Sequence, residues 1–283
     1  LGIETTRALA AAGANVVMLG RNPEALALEA GNLGDLGLAG QIDTQTVDLA
    51  SLDSVRQAAA AILEAYPRID VLINNAGVMA CPLLRTADGF EMQFGTNHLA
   101  HFLLTCLLAP ALAAGAPARV VNLSSTGHKF SNVNLEDPNY QHRDYDKWVA
   151  YGESKTANVL FTVALDKRLA ASDVRAFAVH PGVIMTELSR HMDETDFATL
   201  SERSPSGQEL VFKSVEQGAA TTVFAATSPS LEGLGGIYLE DCHVGEPAVA
   251  GGGDGFEAYA VDAEAAERLW ALSEQLVGET FEF

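Results

Sequence analysis

Short apolar runs that read as strands alternate along this chain with longer runs of helical period. This alternation limits the fold more than any other feature. Residues 14–20 (ANVVMLG), a run ending at 45–48, 70–74 (DVLIN), 119–123 (RVVNL), 175–180 (RAFAVH) and 236–240 (GIYLE) read as strands. Residues 23–32, 53–66, 89–114, 150–171, 215–227 and 264–277 read as helices. The strands lack polar alternation, as strands covered on both faces do. Single helices between them imply right-handed βαβ units and an α/β fold. Its expected architecture is a doubly wound parallel sheet in three α/β/α layers. At 283 residues and 48% apolar content, one domain spanning 1–283 with a large core is expected. Two stretches break the rhythm, near 126–149 and 186–214. Insertions at strand carboxyl ends are where such sheets build substrate sites.

The formal net charge of −20 argues against nucleic-acid binding, which needs a basic footprint. Residues 231–283 carry twelve Asp/Glu and one Arg and read as a solvated acidic face. Cys81, Cys106 and Cys242 are too widely spaced for a disulfide framework or a zinc site, and fit a reducing cytoplasm. No run of 18 uninterrupted apolar residues occurs, and residues 1–14 lack a signal-peptide pattern, so no membrane span is expected. His98 and His101 read as core histidines, and no metal is expected.

Tyr151 and Lys155 stand four residues apart at the start of a helical run, on one face. A lysine cation beside a phenol favours the phenolate and is expected to lower the tyrosine pKa from about 10. A tuned phenol can pass a proton to or from an alcohol oxygen. At the other end of the chain, Gly2 opens a helix, and Gly20-Arg21 follows about 18 residues on. That matches the distance between the last glycine of a dinucleotide-binding turn and the residue reading the adenosine ribose. The strand before that turn would then be absent, leaving a gap between residues 16–19 and 71–73, which are not expected to pair.

Taken in order, these pieces resemble the short-chain dehydrogenase/reductase family over nearly the whole chain. The matching elements are Leu1-Gly2-Ile3, Asp48-Leu49, Asn74-Asn75-Ala76-Gly77, Asn97, Ser124-Ser125, Tyr151 with Lys155, and Pro181-Gly182. TNHLAHFLLTCLL, VVNLSS, YGESKTANVLFT, VHPGV and GGIYLEDC look like the retinol-dehydrogenase-like and protochlorophyllide-reductase-like branch. The resemblance implies a Rossmann-like fold and an oxidoreductase moving hydride between a nicotinamide cofactor and a ketone, aldehyde or alcohol. Tyr151 would be the general acid/base, and Lys155 would tune it and hold the nicotinamide ribose. Ser125, the second of its pair, would bond the substrate oxygen, and Asn97 would hold a water in a relay to Lys155.

For the cofactor, the resemblance implies Gly2 and Ile3 at the phosphate turn and Asp48 and Leu49 at the adenine. Asn74, Ala76 and Gly77 would line the adenine-ribose side, and Pro181, Gly182, Val183, Ile184 and Thr186 would lie over the nicotinamide. Gly20 offers no carboxylate for a ribose 2′-hydroxyl, and Arg21 can pair a 2′-phosphate, so NADP(H) is expected over NAD(H). A homodimer or tetramer built on helices 89–114 and 150–171 is implied by the resemblance alone. Leu83, Leu84, Phe130, Leu188, Met192, Phe197 and Leu200 suggest an apolar substrate. A non-catalytic dinucleotide-binding regulator, or an inactive fragment, are the alternatives.

Overall fold

The computed structural model describes residues 1–190, 192–193, 195–196, 199, 212–249 and 253–283. Phe197 and Leu200 lie outside them. The chain runs α1 (Gly2–Ala11), β1 (Val16–Gly20), α2 (Pro23–Gly34), β2 (Ile42–Thr46), α3 (Leu52–Ala65) and β3 (Val71–Asn74). It continues through α4 (Met92–Gly115), β4 (Ala118–Leu123), α5 (Lys147–Leu169), β5 (Val174–His180), α6 (Val215–Thr227), β6 (Ile237–Glu240), β7 (His243–Val244) and α7 (Ala263–Val277). Local chemistry sets the boundaries. Asn22 accepts bonds from the amides of Glu24 and Ala25 ahead of Pro23, and Asp146 accepts from Trp148 and Val149. The Asp146 cap starts α5 three residues before the periodicity does. The two-residue strand β7 is too short to carry a pattern.

β3, β4, β5 and β6 form a parallel sheet, with β7 antiparallel at its edge. β1 and β2 pair in parallel as a separate two-stranded sheet. As expected, residues 16–19 do not pair with 71–73. One edge of β1 and one of β3 therefore have no strand partner among the described residues. Both strands are only half-buried apart from Asn74, whereas β4 and β5 are buried along nearly their whole length.

One face of the sheet packs Val120 and Ala176 against Leu103, Phe161, Leu165 and Trp270. The other packs Val121, Phe177 and Val179 against Leu9 of α1 and Ala225 of α6. Helix α4 is long and apolar enough to cross a membrane by length and composition, yet 78% of its most apolar window is buried inside the fold. α7 covers the outer faces of α4 and α5. Trp270 sits 4.9 Å from Phe102, ring to ring, and under the Arg168 guanidinium at 4.0 Å. α7 thus covers part of the surface of α4 and α5, the two helices that the resemblance puts at a subunit contact.

Candidate active site

The carboxyl ends of β3, β4, β5 and β6 come together at one edge, and α5 crosses behind them. Ser124 leaves β4 with its amide bonded to Val179 at 2.8 Å and its hydroxyl to the Lys155 carbonyl at 2.9 Å. This holds the loop start against α5, so the Ser125 hydroxyl comes near enough to the Tyr151 phenol to act on its pKa. Residues 151–160 of α5 are all buried. The approach depends on Gly127, where a Cβ would lie 2.6 Å from the Tyr151 ring. Lys155 donates to the Leu123 carbonyl at 3.1 Å, and its Nζ lies 5.6 Å from the Tyr151 ring centre.

Burial changes the expected electrostatics. Desolvation pushes Tyr151 up to about 12, and the Ser125 hydroxyl is the only contact that pulls it back. Lys155 is itself brought down to about 8 by burial. The expectation that Lys155 lowers the phenol pKa is therefore corrected. Four-residue spacing brings the groups near each other, but the loss of water around the phenol outweighs a cation that does not touch it.

Asn97 lies in a π-helical segment, Gly95–Leu99, that the periodicity reads as ordinary helix. Its side chain is fully spoken for by protein. Oδ1 accepts from the Val78 amide at 2.8 Å, and Nδ2 donates to the Val78 carbonyl and to Ser154 Oγ, both at 2.9 Å. Its carbonyl meets His101 Nδ1 at 3.0 Å. His98 bonds Ser273 at 2.8 Å, so both histidines are buried in the core.

The cofactor candidates divide. Gly77 faces the Asn97 and Lys155 side chains, since a Cβ there would sit 2.9 Å from Asn97 Oδ1 and 3.8 Å from Lys155 Nζ. Gly2 lies against Asn75, whose Nδ2 would be 2.9 Å from an added Cβ. Ile3, Arg21 and Ala76 are exposed. These backbone cradles beside a buried lysine fit a nicotinamide nucleotide. Val183 bridges to Phe212, and Ile184 lies against Gly218. Pro181 and Gly182 form the turn after β5. Three residues are differently employed. The Asn74 side chain turns into the core and donates to Thr105 at 2.9 Å and Asn122 at 2.7 Å, so it does not face a cofactor. Leu49 packs on the main core. Thr186 caps a short helical turn, its hydroxyl accepting from the Leu188 amide at 3.3 Å. Asp48 accepts from the Ala50 amide at 3.0 Å while remaining half-buried.

The insertion after β4 is anchored by a group that no short-range spacing reveals. Glu153, two residues past Tyr151, is buried and takes a two-pronged bond from Arg143 at 2.6 Å on each oxygen. The Tyr140 hydroxyl adds a third bond at 2.9 Å, and the Arg143 guanidinium stacks 3.6 Å over the Tyr140 ring. Phe130 packs against Trp148, while Leu83 and Leu84 stay exposed near the same end of the molecule.

The short chain dehydrogenase family model matches residues 1–196. Human retinol dehydrogenase 13 is 41% identical over 278 residues, covering 98% of this chain and 81% of that protein. Short-chain dehydrogenase/reductase prx1 of Penicillium roqueforti is 40% identical over 282 residues, covering 96% and 80%. An uncharacterized protein of Mycobacterium paratuberculosis aligns over all of this chain and 91% of its own, with a TM-score of 0.77 and 38% identity. The RhlG/NADP active-site complex of Pseudomonas aeruginosa aligns over 84% of this chain and 90% of its own, with a TM-score of 0.66 and 27% identity.

Proposed function

The chain belongs to the short chain dehydrogenase family and is an oxidoreductase of CH–OH and C=O groups, and we propose that it is an NADP(H)-dependent reductase of apolar, retinal-like carbonyl compounds. The observation that carries this reading is the buried Tyr151 phenol beside Ser125, the two meeting around Gly127, with Lys155 one turn away. A bound nicotinamide nucleotide supplies the hydride. The protein supplies the proton and the field. With its pKa near 12, Tyr151 keeps its proton at neutral pH, which suits donation to a carbonyl oxygen as negative charge develops there. The Ser125 hydroxyl accepts the Gly127 amide at 3.0 Å, and its one proton, directed toward the phenol, can turn to the same substrate oxygen. Lys155 places a positive charge beneath this pair and retains donors beyond its bond to Leu123 for ribose hydroxyls.

Selectivity for NADP(H) is supported by the corner after β1. Gly20 carries no carboxylate, and Arg21 is exposed with no ion-pair partner among the described residues. The relatives' retinol dehydrogenase names and the apolar Leu83, Leu84 and Phe130 support a retinoid-like substrate class. Cys81 and Cys106 are buried free thiols, the former pushed up to about 11 by burial, which fits a reducing cytoplasm. A homodimer or tetramer would use a surface other than the faces α7 covers, and sedimentation of the purified chain measures this. Tyr151→Phe should lower NADPH-dependent retinal reduction at least about 10²-fold with NADPH binding unchanged. Full turnover in that variant would remove the catalytic assignment.

A further inference from the structure

The loop between β4 and α5 contains a fully buried imidazole that the proposed chemistry does not use. His128 lies three residues past Ser125, and both of its ring nitrogens are committed. Nε2 receives the backbone N–H of Glu257 at 3.2 Å. An amide can only donate, so Nε2 must present its lone pair. The ring is held neutral by burial, with its pKa near 4. Its single proton therefore sits on Nδ1. Nδ1 lies 2.6 Å from the Ser125 carbonyl oxygen, which it can only address as a donor. The same carbonyl also takes the His128 amide at 3.0 Å.

Around this contact, three elements converge on one residue. The His128 carbonyl accepts the Thr156 hydroxyl of α5 at 3.0 Å and the Tyr259 hydroxyl at 2.8 Å. The ring packs against Tyr238 of β6, centre to centre at 5.2 Å. Glu257 and Tyr259 belong to the segment leading into α7. Ser125 is thus tied to β6, to α5 and to the C-terminal segment through one residue, its ring on Tyr238 and Glu257 and its carbonyl on Thr156 and Tyr259.

We propose that His128 is a positioning residue whose Nδ1–H fixes the Ser125 carbonyl and thereby aims the Ser125 hydroxyl at Tyr151 and the substrate oxygen. The proposal rests on the catalytic role given above to Ser125. With the carbonyl held by two donors, the serine's ψ is set, and with it the direction of Cα–Cβ. An error of about 1 Å at a reacting group costs up to about 10²-fold in rate, which sets the scale of the expected effect. His128 touches neither the cradles at Gly2 and Gly77 nor Arg21, so cofactor affinity should not depend on it.

The test is a double-mutant cycle read in kcat and KM for NADPH-dependent reduction of retinal. His128→Ala should lower kcat roughly 10-fold or more with the KM for NADPH unchanged. His128→Asn, whose amide nitrogen stands near the Nδ1 position, should recover most of that loss. In a Ser125→Ala background, His128→Ala should cost nothing further, because its effect runs through the serine hydroxyl. An equal loss in both backgrounds would mean a general folding role and overturn the proposal, as would full kcat in His128→Ala. Full turnover in Ser125→Ala itself would instead strike the catalytic reading beneath it. A readout independent of turnover is nitrogen NMR of the imidazole in the intact protein. The Nδ1–H tautomer is expected, and an Nε2–H tautomer or a charged ring at neutral pH would overturn the assignment.

Discussion

β4 and β5, which lead into Ser124 and into Pro181, are buried along nearly their whole length, whereas β1 and β2, which carry the Gly20–Arg21 corner, are half-buried or exposed. The first region holds its polar groups in bonds to protein: Ser124 to Lys155, Asn97 to Val78 and Ser154, His128 to Ser125 and Glu257. The second offers a guanidinium to solvent. Proton chemistry needs groups fixed in a dry, low-dielectric setting, where their pKa values can be moved. Reading a phosphate needs only a charge at an accessible edge. Substitutions in the first region should therefore alter stability and rate together, and in the second, affinity alone.

Acid provides the largest test of this division. Every histidine lies at or beyond residue 98, and among the described residues His98, His101, His128 and His180 are buried with lowered pKa values. Burial brings His98 and His180 to about 3 and His101 and His128 to about 4. The unfolded chain, with histidines near about 6.5, takes up protons before the folded one as pH falls. Their contribution is thus complete above about pH 6.5 and is lost progressively below it, at about 1.4 kcal/mol per unit for each histidine. Both tryptophans, Trp148 and Trp270, are buried against α5 or within it and report on that region. Their fluorescence should show a much lower urea midpoint at about pH 5 than at about pH 7. A midpoint that does not move would show that these rings are not buried and neutral.

Next in size is the anchor of the insertion. Glu153→Ala leaves Arg143 without its buried partner and should cost about 3 kcal/mol, toward the low end for a broken buried pair because Arg143 is partly solvated. Urea unfolding measures it. A loss under about 1 kcal/mol would place the pair among ordinary surface bridges and blur the contrast between the regions.

The smallest effect should come from the open corner. Arg21→Ala should weaken NADPH binding about tenfold, the scale of one charge-assisted bond, with NADH binding and unfolding unchanged. Equal weakening of both nucleotides would end the argument for 2′-phosphate recognition. A loss of stability would instead mean that this edge is as integrated as the catalytic one.

The local elements were legible because periodicity, caps and apolar runs are short-range signals. Six of the seven strands and the main helices fall where those signals put them, and the π-helical turn at Gly95–Leu99 and β7 do not. All five residues of the π-helical turn are buried, so no change of face in the sequence pattern marks it. β7 is defined only by its pairing with β6. Among site residues, the proximity of Tyr151, Ser125 and Lys155 was legible from spacing and order. The core role of Asn74 was not, because Thr105 and Asn122 reach it from elements 31 and 48 residues away.

By itself the sequence determined six of the strands and the main helices, that a parallel α/β sheet results, and that Ser125, Tyr151 and Lys155 come near one another at its carboxyl edge. Those outcomes depend on neighbours a few residues apart and on the order of elements. Only the tertiary structure decided how the protons are held. It raised the Tyr151 pKa where local spacing predicts a lowered one, and covered α4 and α5 with α7. It also brought Glu257 to His128 across 129 residues. Desolvation and long-range hydrogen bonding depend on what packs around a group, and that is fixed only when distant elements meet.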